Sequence, residues 1–346
     1  MKKSVFVCCL LIIVGVVFAQ KNVILLIGDG MGTAQFYTMI EIKKDNSIEQ
    51  FTHVGFQKTS SASASITESG AAATAMATGE KTNNRYISIH PETKQPMKTL
   101  VEMSVAKGLS AGVVASCDIT HATPAAFLGH SIDRNNFEGL AESMLGTRPT
   151  LFIGGGRDRF EKRKDKRNLS DSLRKQGFRV LYTLDDVLKT QNPKMAGLLY
   201  DEHPESMLDG RGEFLKPASE KAVELLNQNS KGFFLMIESS QIDWICHENN
   251  FEALVPELID FDNTIHAVLD FAKKDGNTLV IVTGDHETGG LTIPKYDTSG
   301  LWPRFTTFDH TPVMVPVFAF GPGAEKFSGI YENTEIQKKI VKLLGL

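Results

Sequence analysis

The sequence predicts an α/β fold: a three-layer sandwich in which a mainly parallel central sheet is flanked by helices. Two observations predict it. Short runs of apolar and β-branched residues recur along the chain, and segments that favour helices lie between them. Runs that are apolar at nearly every position are typical of strands buried on both faces, as in a parallel sheet covered by helices. Alternation of strands and helices is typical of the α/β class.

The predicted elements follow one another in this alternating order. Runs such as NVILLI and TLVIVT favour extended, buried backbone, and together they predict strands at residues 22–27, 111–115, 150–153, 179–182, 233–237, 279–283 and 315–320. The intervening segments predict helices that include residues 169–176, 217–227, 255–274 and 334–344. No internal repeat interrupts the pattern.

The N-terminus has the pattern of a secretory signal peptide. Lys2 and Lys3 precede an almost uncharged apolar run at residues 5–18, which ends in small or β-branched residues. A transmembrane anchor is the alternative, but the run is shorter than the roughly 20 residues that span a bilayer. The sequence therefore predicts a signal peptide at residues 1–19 and a single domain at 20–346. The mature protein is expected to be secreted or periplasmic, without a membrane anchor.

Composition and charge exclude several classes of protein. The chain is 42% hydrophobic and 23% charged, which is typical of a globular protein and not of a disordered or collagen-like one. Its net charge of −4 offers no basic field for nucleic acid. Of the four cysteines, Cys8 and Cys9 lie in the predicted signal peptide, so only Cys117 and Cys246 could pair. No disulfide framework is predicted.

Three of the predicted strands run directly into acidic residues. Asp29 follows the first strand, Glu238 ends the strand FFLMIE, and Asp285 with His286 follows TLVIVTG. Ligands of an open α/β sheet bind at the carboxyl ends of its strands, so these side chains should meet at one edge. Their mutual repulsion would be costly without cations between them. Any one of them alone could instead cap a helix, but the three together predict a metal centre.

A second set of metal-binding residues is predicted further along the chain. Asp243 and His247 are four residues apart, so a helical turn would place them on one face. Zinc accepts such mixed oxygen and nitrogen ligands, and His310 supplies another imidazole. Four other histidines have no such neighbours in the sequence and are interpreted as ordinary surface or core residues: His53, His90, His203 and His266.

The segment SITESGAAATAMATG combines a hydroxyl with a run of small, helix-favouring residues. Ser69 would open that helix, where backbone N–H groups and the helix dipole favour a bound phosphate. A nearby zinc ion would favour the ionised hydroxyl, which is a nucleophile. The alternative is that a Ser or Thr of this stretch only caps a buried helix.

Six motifs together resemble the alkaline phosphatase family. They are GDGMG at 28–32, TESGAAATA at 67–75, THATPAAF at 120–127, IDWICH at 242–247, GDHETGG at 284–290 and DHT at 309–311. The resemblance implies the family's sandwich fold and an enzyme that hydrolyses phosphate monoesters of broad range, releasing inorganic phosphate through a phosphoserine. It also implies two zinc ions, one magnesium ion, a secreted or periplasmic location and a homodimer.

The resemblance also implies a role for each matching residue. It assigns the metal ligands as Asp243, His247 and His310 for the first zinc, Asp29, Asp285, His286 and Ser69 for the second, and Asp29, Thr123 and Glu238 for magnesium. Ser69 would be the nucleophile, and Arg134 would bind the phosphoryl oxygens. His121 and Trp244 would lie beside the bound phosphate.

Departures from the family pattern leave other functions open. The usual Asp-Ser-Ala triplet is Glu68-Ser69-Gly70 here, which lengthens the acid beside the nucleophile. One alternative is a phosphodiesterase or sulfatase of the same metalloenzyme superfamily. Another is a catalytically weak relative that binds phosphate.

Overall fold

The structure is a computed structural model, and it describes residues 22–346. The predicted signal peptide at residues 1–19 lies outside the described part. Within that part, no helix is both long enough and apolar enough to span a membrane.

The centre of the molecule is one large sheet. The strands among the described residues are, in chain order, β1 (Asn22–Gly28), β2 (His53–Lys58), β3 (Ser110–Asp118), β4 (Leu151–Gly155), β5 (Arg179–Leu181), β6 (Met195–Leu198), β7 (Phe233–Ser239), β8 (Thr278–Gly284), β9 (Glu287–Thr288), β10 (Thr292–Asp297), β11 (Gly300–Arg304), β12 (His310–Thr311), β13 (Val315–Phe320) and β14 (Gly329–Glu332). Ten of them form the sheet in the order β14-β2-β13-β8-β1-β7-β3-β4-β6-β5. Two short antiparallel pairs, β10 with β11 and β9 with β12, lie outside it.

The sheet is mainly parallel, as the sequence predicts. Among the ten described strands of this sheet, β13 alone runs against its neighbours, β8 and β2. β1 lies between β7 and β8 and is parallel to both. The carboxyl ends of these three strands therefore meet at one edge of the sheet.

Helices cover both faces of the sheet. In chain order they are α1 (Thr33–Ile42), α2 (Ser69–Thr78), α3 (Leu100–Lys107), α4 (Ala122–Leu128), α5 (Phe137–Thr147), α6 (Arg157–Glu161), α7 (Leu169–Lys175), α8 (Leu184–Lys189), α9 (Leu215–Leu226), α10 (Gln241–His247), α11 (Phe251–Asp275) and α12 (Thr334–Leu344). Val23, Leu25 and Ile27 of β1 pack into one hydrophobic core with α2, α3, α4 and α12. Ile24 and Leu26 pack into a second core with α1, α9 and α11. The three-layer sandwich is therefore confirmed.

Each predicted strand and helix is present. The bounds of β13 and α12 are as predicted, and the other elements have shifted ends. The helix predicted at 255–274 begins at Phe251, because the Asn250 side chain accepts a hydrogen bond from the backbone N–H of Ala253 and caps the helix earlier. Cys117 and Cys246 are separate buried thiols and form no disulfide.

A buried charge cluster supports the helix layer next to the second core. Arg211 donates to Glu257 at 2.6 Å and to Asp260 at 3.0 Å, and neither the guanidinium side chain nor Glu257 is exposed. Burial raises the pKa of Asp260 to about 6, and the Arg211 charge opposes this shift. Breaking this cluster would leave charges buried without a partner.

Candidate active site

The register of the sheet brings the predicted acidic residues together. Ile27 of β1 is paired with Glu238 of β7, and Gly28 is paired with Gly284 of β8. Asp29 and Asp285 each follow directly after their strands. All three carboxylates are fully buried, so this edge of the sheet concentrates negative charge away from water.

One candidate metal site consists of Asp29, Asp285 and His286. Nε2 of His286 lies 3.5 Å from Oδ1 of Asp29 and 3.2 Å from Oδ2 of Asp285. Among the described residues, these two carboxylate oxygens accept no hydrogen bond. Unpartnered buried carboxylate oxygens beside an imidazole nitrogen are what a divalent cation requires. The residues therefore fit a metal ion.

The second candidate site consists of Asp243, His247 and His310. Nδ1 of His247 contacts the carbonyl oxygen of Phe308, and Nδ1 of His310 contacts that of Thr67. A carbonyl only accepts, so each neutral ring carries its proton on Nδ1 and an unshared pair on Nε2. The two Nε2 atoms are 3.0 Å apart, and Oδ1 of Asp243 lies within 3.5 Å of both. A cation between these three atoms would satisfy all of them.

The pKa values of the buried acids reflect the same crowding. Burial, followed by the charge of Asp285, raises the pKa of Asp29 well above its usual value. Burial also raises the pKa of Glu238 to about 7 and that of Asp285 to about 6. Burial opposes ionisation of Asp243 as well, but the adjacent His310 and the other nearby imidazoles lower its pKa. Bound cations would favour the ionised form of every one of these acids.

A set of oxygen atoms lies next to the first site. The hydroxyl of Thr123, on α4, donates to Oδ2 of Asp29 at 3.4 Å. Oε1 of Glu238 accepts no hydrogen bond within the part of the chain that is described. Magnesium prefers such oxygen ligands together with water.

Ser69 is the first residue of α2 and faces the metal-site residues. Its Oγ lies 3.4 Å from Nε2 of His286, and the residue is almost fully buried. The preceding residue, Glu68, caps the helix by accepting hydrogen bonds from the backbone N–H groups of Gly70 and Ala71. The hydroxyl therefore sits at a helix N-terminus beside an imidazole that could share a metal ion with it.

Arg134 is held beside Ser69 by two neighbours. Its Nη1 donates to Oε2 of Glu68, and its Nη2 lies 3.3 Å from Nε2 of His121. Burial, followed by the Arg134 charge, lowers the pKa of His121 well below its usual value, so this ring is neutral. The ring of His121 meets Trp244 edge to face at 5.4 Å.

An open cavity of about 590 Å³ connects these groups. Its lining includes Ser69, Arg134, Asp243, Trp244, His247 and His310. The sequence-predicted nucleophile, arginine, tryptophan and second metal site therefore surround one space. The other predicted site residues do not line the cavity, but His286 contacts Ser69 and His121 contacts Arg134 and Trp244.

Sequence reasoning missed two residues of the site. Thr288 donates to Oδ1 of Asp243 and lies 3.2 Å from Nδ1 of His286, so it links the two candidate metal sites. Thr288 lies in the motif GDHETGG, two residues after His286, and this position could have marked it as a site residue. His203, interpreted from sequence as an isolated histidine, instead packs against Trp244 and His121. No local sequence pattern indicates this contact.

Known proteins resemble this chain over nearly its whole length. The sequence model of the alkaline phosphatase family matches residues 20–303. Alkaline phosphatase 4 of Bacillus subtilis is 31% identical and covers 94% of this chain and 88% of its own length. The alkaline phosphatase of the Antarctic bacterium TAB5 is 41% identical, with a TM-score of 0.90 over 94% of this chain and 99% of that chain. A variant of the TAB5 enzyme, with a histidine replaced by aspartate and magnesium bound in the site called M3, is equally similar, with a TM-score of 0.90 and 41% identity over 94% of this chain and 98% of that chain.

The residues matched by the family model contain five of the six motifs, and the sixth, DHT at 309–311, lies beyond them. The chain belongs to the alkaline phosphatase family of phosphomonoester hydrolases.

Proposed function

We propose that this protein hydrolyses phosphate monoesters of broad range through a phosphoserine at Ser69, with two zinc ions and one magnesium ion bound. One observation carries the proposal. Ser69 lies at a helix N-terminus, 3.4 Å from His286 of the first group of ligand atoms, and it lines the same cavity as the second group. Within each group the ligand atoms lie within 4.8 Å of one another. A hydroxyl in that position has both a phosphate-binding helix end and two candidate cation sites beside it.

The donor atoms support the assignment of the ions. Asp243, His247 and His310 would hold one zinc ion. Asp29, Asp285 and His286, with ionised Ser69, would hold the other. Asp29, Thr123 and Glu238 offer only oxygen, which suits magnesium. The TAB5 variant described with magnesium bound gives further support. When bound, the ions lower the pKa of coordinated hydroxyls and water and stabilise charge on phosphoryl oxygens.

The chain's own residues would perform the reaction in two displacements. In the first, Oγ of Ser69 bonds to phosphorus while the ester P–O bond breaks, and the leaving alkoxide takes up a proton from water. In the second, water attacks phosphorus and loses a proton, which neutralises the hydroxide left by the first step. The Oγ–P bond breaks with its electron pair returning to Oγ of Ser69, and inorganic phosphate leaves. Arg134 binds two phosphoryl oxygens through its planar guanidinium. Glu68 and His121 fix that guanidinium.

Broad substrate range follows from the shape of the cavity. The groups that converge on the phosphoryl position are charged or polar, while the lining also includes the exposed Ile66 and the partly exposed Asn84. Recognition limited to the phosphoryl group leaves the rest of the ester unconstrained.

A single experiment separates this proposal from its alternatives. Turnover of p-nitrophenyl phosphate and of bis-p-nitrophenyl phosphate is measured with the purified protein, before and after chelation and after zinc and magnesium are returned. We expect rapid, chelator-sensitive turnover of the monoester. Preferential turnover of the diester would indicate a phosphodiesterase, and phosphate binding without turnover would indicate a weak binding relative. p-Nitrophenyl sulfate as a third substrate tests the sulfatase alternative.

We also propose export and dimerisation. The apolar run at residues 5–18 after Lys2 and Lys3 supports cleavage of a signal peptide and a secreted or periplasmic location. The family resemblance supports a homodimer. N-terminal sequencing of the mature protein, expected to begin at residue 20, tests the first proposal. Light scattering tests the second, and a mass near twice that of one chain is expected.

A further inference from the structure

The segment 200–206 contacts α6, α10 and the end of β3, although its sequence carries no recognised motif. The backbone carbonyls of Tyr200 and Glu202 accept hydrogen bonds from the N–H groups of Arg157 and Gly156 at the start of α6. On its other side, the side chain of Gln241 donates to the carbonyl oxygens of Pro204 and Glu205 at 2.9 and 3.1 Å. Gln241 is the first residue of α10, the helix that carries Asp243, Trp244 and His247.

His203 lies at the centre of this segment and faces the cavity wall. Its Nδ1 is 3.0 Å from the backbone N–H of Asp118, at the end of β3. An N–H group only donates, so Nδ1 accepts, and neutral His203 carries its proton on Nε2. This hydrogen bond fixes the ring plane relative to the sheet.

Three rings meet at right angles there. His203 contacts Trp244 at 4.7 Å between ring centroids and His121 at 5.4 Å, with interplanar angles of 85° and 84°. Trp244 and His121 contact each other at 5.4 Å with an angle of 84°. Edge-to-face packing of this kind is favourable and strongly dependent on geometry. His203 therefore restricts both rings at once.

The cluster acts on the phosphate-binding arginine through His121. Nε2 of His121 lies 3.3 Å from Nη2 of Arg134, and Trp244 and Arg134 line the same cavity. If His203 were removed, the rings of His121 and Trp244 would gain freedom, and Arg134 would lose a fixed acceptor on one side.

We propose that His203 is a positioning residue: its ring holds His121 and Trp244 in place and thereby fixes Arg134 for binding phosphoryl oxygens. The inference rests on the proposed function. The rings that His203 contacts, those of His121 and Trp244, belong to neither candidate metal site. The inference therefore assigns a role in phosphate affinity to a segment outside both metal sites.

Two substitutions separate the ring from the hydrogen bond. His203→Asn keeps an oxygen close to the position of Nδ1 and removes the ring. His203→Phe keeps a ring and leaves the Asp118 N–H without its acceptor. His266→Asn is the matched control, because His266 is on α11, partly exposed and paired only loosely with Asp270 at 3.8 Å.

The holoenzymes are compared by p-nitrophenyl phosphate kinetics, inhibition by inorganic phosphate and thermal unfolding. For His203→Asn we expect KM and the phosphate inhibition constant to rise roughly 5- to 10-fold, the order expected for the loss of two ring contacts, with a smaller change in kcat. For His203→Phe we expect a KM close to that of the wild type and a lower Tm. A purely structural role would lower Tm in both variants and leave KM unchanged.

A spectroscopic measurement tests the inference without turnover. The chain has two tryptophans, so the Trp302→Phe background leaves Trp244 as the reporter. Titrating inorganic phosphate into the holoenzyme should change Trp244 fluorescence, and His203→Asn should shift the midpoint to higher phosphate by the same factor as its inhibition constant. His266→Asn should leave the midpoint in place.

The inference and the proposed function fail in different ways. An inactive wild type would count against the proposed function, while the fluorescence titration would still decide the role of His203. Unchanged KM, inhibition constant and fluorescence midpoint in folded His203→Asn would overturn the inference. So would a His203→Phe enzyme that binds phosphate as weakly as His203→Asn.

Discussion

The carboxylate of Glu68 joins α2, whose first residue is Ser69, to Arg134, and its removal gives the sharpest prediction. Oε1 accepts from the backbone N–H groups of Ala71 and Arg85 at 2.7 and 2.8 Å. Oε2 accepts from the N–H of Gly70 at 3.0 Å and from Arg134. The Glu68 side chain is 14% exposed and that of Arg134 is 18% exposed, so water screens the ion pair only partly.

Glu68→Gln keeps the size of the side chain but leaves it with one acceptor oxygen. An amide NH₂ in place of Oε2 loses the bonds from Gly70 and Arg134 and faces donors instead. Bonds to charged groups contribute about 1.5–3 kcal/mol each and a helix cap about 1 kcal/mol, so we expect a loss of about 2–4 kcal/mol in the free energy of unfolding. A released Arg134 should raise KM for p-nitrophenyl phosphate roughly 10- to 100-fold.

The assay combines thermal unfolding with steady-state kinetics and phosphate inhibition. Glu68→Asp retains the charge and should lose less of both stability and affinity. Glu335→Gln, which removes an exposed pair with Lys338, is the control and should change stability by less than about 1 kcal/mol. A folded Glu68→Gln enzyme with wild-type KM and phosphate inhibition would refute the reasoning.

Three further predictions concern magnesium, pH and the buried charge cluster. His121 directly precedes α4, which carries Thr123 of the proposed magnesium site. His121→Asp adds a negative charge there, so it should raise magnesium affinity and weaken phosphate inhibition; magnesium titration of activity in both forms checks this. Because burial raises the pKa of Glu238 to about 7 and that of Asp285 to about 6, the unfolded chain ionises these acids at lower pH than the folded one. The Tm of the metal-free protein should therefore fall as pH rises from about 4 to 7. Added zinc and magnesium should remove this fall, and Glu238→Gln should reduce it. A Tm that rises over this range would contradict the raised pKa values. Arg211→Met leaves Glu257 and Asp260 buried without their partner. It should lower the free energy of unfolding, measured with denaturant, by about 3–5 kcal/mol and leave KM nearly unchanged. A decrease of less than about 1 kcal/mol would show that the cluster is not desolvated.

The strands that carry the site were predictable because burial on both faces leaves a continuous apolar run. β1, β7 and β8 are fully buried along their length. Because β1 and β8 are parallel neighbours, Asp29 and Asp285, which follow them, lie at the same edge of the sheet. β2, β6 and β14 of the large sheet were not predicted. β6 is buried but only four residues long, and its sequence MAGL has no β-branched residue. β14 is an exposed edge strand and β2 is partly exposed, so polar residues and glycine interrupt their apolar pattern.

The site was predictable where its chemistry is local in sequence and not where it depends on packing. Asp243 and His247 share a helical turn, and Asp285 is adjacent to His286, so spacing alone indicates ligands. The contacts of His203 with His121 and Trp244 join three distant parts of the chain through rings. Such contacts have no periodicity, and only the fold reveals them.

The most direct test of the account is the location of the covalent phosphate. The holoenzyme is incubated with inorganic phosphate, quenched in acid and digested with trypsin, and the peptide at residues 59–81 is fragmented in a mass spectrometer. Phosphate should be found on Ser69, and Ser69→Ala should bind zinc and fold normally while losing both the phosphopeptide and most of its turnover. Phosphate on any other residue, or undiminished turnover by Ser69→Ala, would contradict the central claim.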